Sequence, residues 1–109
     1  MDYEAFDNDN EVTTDEQYFA FVAWLSSWTA NDFRTAKGNP EREKEALCRY
    51  YKRGLIANLT MSELIDFLAV NAESILEVAG YTGDESLTLI YEISDTLTEA
   101  EIMAATLPT

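Results

Sequence analysis

Helix start and stop signals recur along this chain so closely that little other regular structure has room to form. Thr14, Asn39, Thr60 and Thr98 stand where helix N-caps are expected, and Gly38 and Gly80 stand where helices should stop. Gln17 follows Thr14 by three residues, as Glu63 follows Thr60 and Glu101 follows Thr98. In that spacing the Thr hydroxyl accepts the backbone N–H three residues on, and the longer side chain reaches back to the Thr N–H. Asn39-Pro40 supplies a cap and then the residue whose fixed φ suits the first helical position. The expected helices run from 15 to about 29, from 40 to 53 or on to Asn58, from 61 to 79, and from Thr82 or Asp84 to about Leu97. A short segment at 31–37 and a last short helix after Thr98, ending at Pro108, complete the set. No stretch alternates apolar and polar residues with a period of two, so strands have no support. The expected fold is all-α, a compact helical bundle of four main helices plus short helices. It occupies residues 13–109 as a single domain behind an acidic flexible N-terminal tail over 1–12, in which Tyr3 and Phe6 are the aromatic anchors.

Charge is segregated along the chain. All seven basic residues lie between Arg34 and Arg53, while 1–32 and 60–109 hold acids and no Lys or Arg. The net charge of −14 on 109 residues is large. It weakens a compact state through self-repulsion and sets up a field that steers partners. Nucleic acid and anionic membranes are poor matches for it, and basic protein surfaces are the natural complement. A 47% hydrophobic content is enough to fold a globular core.

On the helix expected at 61–79, Glu63, Asp66, Glu73 and Glu77 fall within about 80° of one another at 100° per residue. Leu64, Ile65, Leu68, Ala72, Ile75 and Leu76 point the other way, and Val70 alone interrupts the acidic stripe. The next helix repeats the pattern, with Glu85, Glu92 and Asp95 on one face and Leu87, Ile90, Ile93 and Leu97 opposite. A four-residue connection makes the two an antiparallel hairpin able to show both stripes on one side. A solvated helix face is the plain explanation of either stripe. The lack of neighbouring bases argues beyond it, because ordinary exposed helices mix signs in i,i+4 pairs.

Tyr18, Phe21, Trp24 and Trp28 define an aromatic face on the first helix, read either as the central core or as an interface in which such residues concentrate. On the helix from 40, Arg42, Arg49 and Arg53 share a face with Lys52. They serve local electrostatics (Glu45 with Arg49, Arg42 with Glu45, a basic C-terminal turn) or else dock on the acidic face of a second copy. The four aromatic residues and the three arginines are the candidate oligomer interface.

Catalysis finds little support in the residues present. The chain has no His and one cysteine, Cys48, which rules out Ser-His and Cys-His nucleophiles, zinc sites of the usual composition and an internal disulfide. Residues 7–18 fail as a calcium loop, since Val12 stands where Gly is needed and Tyr18 where Glu is needed. Gly83-Asp84-Glu85-Ser86-Leu87 is similar to the serine motif of acyl carrier proteins, but Glu85 separates the Asp from the Ser. No glycine-rich phosphate loop is present. No catalytic residue, metal ligand or cofactor is expected, and neither is enzymatic activity. A lone cysteine, no signal-like N-terminus and no membrane-length apolar run give a cytoplasmic expectation.

These features lead to a protein-binding inhibitor, a DNA or phosphate mimic that fills the basic groove of a nucleic-acid-binding protein or nuclease complex. Glu63, Asp66, Glu73, Glu77, Glu85, Glu92 and Asp95 would take the place of phosphates, with Tyr3 and Phe6 adding contacts from the tail. Two alternatives stand beside it: a self-associating structural or regulatory module, as a homodimer, and an adaptor for a basic partner without mimicry. In size and charge the chain is similar to small phage- or plasmid-encoded inhibitors of host defence, the anti-restriction and anti-CRISPR proteins. That resemblance implies action in the host cytoplasm by blocking a nucleic-acid groove, with no direct binding of nucleic acid.

Overall fold

A computed structural model describes residues 15–107, and within them every regular element is helical. Helix α1 spans Asp15–Ala36 and α2 spans Pro40–Ile56. Helix α3, Met61–Val70, continues past Asn71 and Ala72 into a wide π-helical turn at Glu73–Glu77. Helix α4, Gly83–Leu87, runs on through a π-helical segment at Thr88–Ile93 and a 3-10 turn at Ser94–Thr96. A short helix α5, Glu99–Ala104, follows. The bundle is therefore all-α with four main helical runs and short additions. The acidic tail with Tyr3 and Phe6, the Thr14–Gln17 capping box and Pro108 lie outside the described residues or side chains.

Local chemistry sets most of the helix starts. Asn39 Oδ1 accepts from the N–H of Glu41 and Arg42 at 3.1 and 3.2 Å, with Pro40 at the first helical position. Thr60 with Glu63 and Thr98 with Glu101 form the expected reciprocal boxes. Of the two candidates it is Thr82, not Asp84, that caps α4, through the same arrangement with Glu85. Each cap contributes about 1 kcal/mol. Gly38 stops α1 at φ 88°, in the left-handed region that only glycine enters freely.

Helix α1 runs unbroken to Ala36, where the sequence pattern gave a helix ending near Thr29 and a separate turn at 31–37. Side-chain bonding explains the continuation through poor helix formers. Thr29 donates to the Leu25 carbonyl at 2.7 Å, and Asp32 is buried against two arginines of α2. Tertiary contact overrides a weak local propensity there.

The core takes Phe21, Trp24, Leu25 and Phe33 from α1, and Leu47, Tyr50 and Tyr51 from α2. Leu64, Leu68, Ile75 and Leu76 join from the third run, Leu89 and Ile90 from the fourth and Ile102 from α5. Leu87 corrects the α-helical projection: expected in the core, it is 54% exposed. The buried positions of the fourth run are Ser86, Leu89, Ile90 and Ser94. Ser86, Ile90 and Ser94 follow one another at four-residue steps and define the buried face, and Leu87, about 100° round the helix from Ser86, faces outward. Ser94 Oγ lies 2.7 Å from the Tyr51 hydroxyl and donates to the Leu89 carbonyl at 3.0 Å, anchoring the end of the run.

Helices α2 and α3 approach closely at Gly54. A Cβ there would lie 2.8 Å from Cγ of the fully buried Leu64 and closer still to its methyl carbons. Gly54→Ala is therefore expected to destabilise by about 1–3 kcal/mol through overpacking. The helix-propensity gain of about 1 kcal/mol offsets only part of that. The urea midpoint should fall with an unchanged slope, and a midpoint at or above the wild-type value would show that the helices can separate at no cost.

Buried phenols make the fold sensitive to alkali. Burial is the main force raising Tyr50, Tyr51 and Tyr81 above the ordinary value of 10.0, and the hydrogen-bonded Glu43 carboxylate adds to it at Tyr81. The folded state keeps protons that the unfolded chain releases. Their contribution is complete below about pH 10 and is lost as pH rises past it, at up to about 1.4 kcal/mol per pH unit per phenol. Denaturant midpoints measured across this range should fall steeply, and less steeply in Tyr50→Phe. Equal slopes would assign the alkaline loss to other groups.

Candidate partner-binding surface

Five of the seven bases are engaged within the protein. Lys37 pairs with Glu85 at 3.7 Å and Lys44 with Glu101 at 2.7 Å. Lys52 Nζ donates to the carbonyls of Met103 and Ala105 at 2.9 and 2.8 Å, closing the C-terminal end of α5. Arg49 Nε donates to Asp32 Oδ2 at 3.2 Å and its guanidinium lies 3.8 Å from Glu45, the expected i,i+4 pair. Arg53 Nη1 donates to the same Asp32 oxygen at 2.9 Å. Arg34 and Arg42 have no ion pair among the described residues, so the Arg42–Glu45 contact does not form. The basic segment ties α2 to α1 and to the C-terminal helix and leaves little positive surface.

Arg53 is the most enclosed of these groups, at 1% exposure. Its guanidinium carbon lies 4.9 Å from the Trp28 ring centre and 5.9 Å from that of Trp24, within cation–π range. Nη2 is buried and has no hydrogen bond among the described residues. This interior placement divides the residues grouped as an oligomer surface. Phe21, Trp24 and Arg53 are buried, Trp28 and Arg49 are half-buried, and Tyr18 and Arg42 are exposed. The aromatic face of α1 thus belongs mainly to the core, and Arg53 has no surface to offer a second copy.

The acidic residues fare differently. Glu63, Asp66, Glu73, Glu77, Glu85, Glu92 and Asp95 are all exposed. Glu63 and Glu85 are occupied as members of capping boxes. The Thr82 backbone N–H, with Lys37 nearby, holds the Glu85 carboxyl below its usual range. The other five side chains have no hydrogen bond or ion pair among the described residues. They lie on two helical runs joined through Gly80, with α3 against the π-helical part of the fourth run and α4 against that of the third, an antiparallel hairpin. The π-helical turn between Asp66 and Glu77 breaks the α period, so a single straight stripe does not extend along the whole run.

Apolar side chains stand among these acids. Val70 is 82% exposed, as its place in the stripe implied, and Val78, Leu87 and Tyr91 are more than half exposed. Tyr91 is the residue that sequence reasoning passed over. Its three- and four-residue spacings to Thr88 and Asp95 were the available signal, since they place it on the acidic side of the helix.

Helices α2 and α5 enclose a cleft of about 540 Å³, lined by Lys44, Cys48, Arg49, Glu101 and small residues of the chain's end. Of the charges that line it, Lys44 pairs with Glu101 and Arg49 with Asp32 and Glu45. Burial, then the Glu101 charge, raises the Cys48 thiol above its ordinary range, so it is poorly suited to act as a nucleophile. Among the described residues no group of three or more acidic or cysteine side chains is arranged to hold a metal ion, and no helix is long and apolar enough to cross a membrane. No known protein family, curated protein or solved structure matches the chain.

Proposed function

We propose that this protein is an acidic inhibitor that acts by binding, filling the basic nucleic-acid groove of a target protein with carboxylates in place of phosphates. One observation carries the reading. Asp66, Glu73, Glu77, Glu92 and Asp95 are exposed on one helical hairpin and free of intramolecular cations, whereas most of the bases are engaged elsewhere. Unpaired like charges on a surface repel one another, and that cost is recovered only when cations of a partner approach. The carboxylates steer a basic target at long range and then pair with the Lys and Arg side chains that would hold a nucleic-acid backbone. The proposal includes no catalytic step. A role in countering nucleic-acid-directed host defence, from a phage or plasmid, accords with the small size and high charge.

Affinity capture tests the reading. Tagged protein mixed with a bacterial lysate should retain nucleic-acid-binding proteins at low salt, release them at high salt and lose them to added DNA. Retained partners that are indifferent to DNA would replace mimicry with an adaptor role, and retention of the bait alone would remove the reading.

A further inference from the structure

We infer that the outward face of the fourth helical run, centred on Leu87 and Tyr91, docks a protein surface in which an apolar pocket is ringed by cations. The inference rests on the proposed acidic-inhibitor reading and adds what selects the target. Leu87 and Tyr91 are four residues apart on one helix and are 54% and 52% exposed. Neither is held by a hydrogen bond or an aromatic contact among the described residues. Val70 and Val78, also exposed, belong to the antiparallel neighbour and its end. Single exposed apolar residues are ordinary, but a Leu–Tyr pair one turn apart on a strongly charged hairpin needs a reason.

The surrounding charge identifies the occupant. Glu92 adjoins Tyr91 in the chain and Asp95 lies one turn on, both exposed. An apolar centre with an aromatic residue and a charged rim is the anatomy of a protein interface. Nucleic acid and anionic lipid carry the wrong sign. A second copy would bring the same charge of −14 and, beyond Arg34 and Arg42, no base that is not already engaged. Cations that hold a phosphate pair with a carboxylate without any leucine beside it, and a leucine side chain gains nothing from a cation alone. The apolar pair is what would separate one basic target from all others, while the carboxylates supply attraction common to them.

Two labelled synthetic helical peptides of equal lysine content test this, one with leucines at i,i+4 and one with serines in their place. The leucine peptide should bind the intact protein about tenfold more tightly. Its binding should shift the backbone amide resonances around Leu87 and Tyr91. The double variant Leu87→Ser, Tyr91→Ser should bring the two peptides to equal affinity and leave the serine peptide unchanged; both side chains are exposed, so the fold should tolerate the exchange. Equal affinities on the wild-type protein, shifts confined to another surface, or an undiminished leucine preference in the double variant would each overturn the inference while the acidic reading stands. Failure of both peptides to bind at low salt would overturn the reading itself. Sedimentation showing a dimer that the double variant abolishes would make a second copy the occupant and also overturn the inference.

Discussion

Replacing Asp32 with Ala should remove about 3–5 kcal/mol of stability, the range found when one partner of a buried ion pair is deleted. Asp32 Oδ2 accepts from Arg53 at 2.9 Å and from Arg49 at 3.2 Å, and among the described residues it is the only carboxylate paired with Arg53. The side chain of Arg49 is 20% exposed and keeps Glu45, so it can turn outward. Arg53 cannot, being 1% exposed beneath Trp28 and Trp24 with Nη2 already unpartnered among the described residues. A small domain has about 5–15 kcal/mol in total, so the variant should be close to unfolded. Urea titration followed by tryptophan fluorescence would show the loss and the exposure of both indoles. Asp32→Leu combined with Arg53→Met should recover most of the stability, because replacing a whole buried pair by apolar groups is often neutral. A drop under about 1 kcal/mol in the single variant would mean that the rings and solvent hold the guanidinium without the carboxylate.

That cluster also shows where sequence reading stops. Asn39, Thr60 and Thr98 were legible as caps because a cap is a contact between residues two or three apart. The exposure of Glu73, Glu77 and Asp95 was legible too, since no cation stands near them in the chain to draw them inward. The spacing of Arg53 places it on one face with Arg42 and Arg49, serving local electrostatics or a docking patch, and neither reading implies burial. Its burial depends on Asp32, 21 residues earlier, and on two indoles of the same helix, contacts that no local period encodes. A hint was present: Asp32 is the sole acid between Glu16 and Glu41, and the stretch from Tyr18 to Asn31 before it carries no charge at all. The π-helical segments had no local signature. The exposure of Leu87, at the junction of α4 with the π-helical segment, was visible only in the structure. In the candidate surface the charges were readable and the apolar pair was only half so.

Glu73, Glu77 and Asp95 are the carboxylates whose reversal separates function from stability most cleanly. All three are exposed and have no intramolecular partner among the described residues, so Glu73→Lys, Glu77→Lys and Asp95→Lys together should leave the thermal midpoint unchanged or raise it by easing repulsion. Reversing Glu63 or Glu85 instead would break a capping box at about 1 kcal/mol, and in Glu85 would set an ammonium beside Lys37. On the proposed reading each of the three reversals turns an attraction at the target into a repulsion. Together they should weaken binding by about a thousandfold, mostly through slower association, and flatten its dependence on salt. The same protein should still show the exposed Leu87 and Tyr91, so any residual affinity should be salt-independent and fall further in the Leu87→Ser, Tyr91→Ser background. An affinity for a captured target that survives the triple reversal intact would show that the carboxylates are a solvated face and that binding, if it occurs, uses another surface.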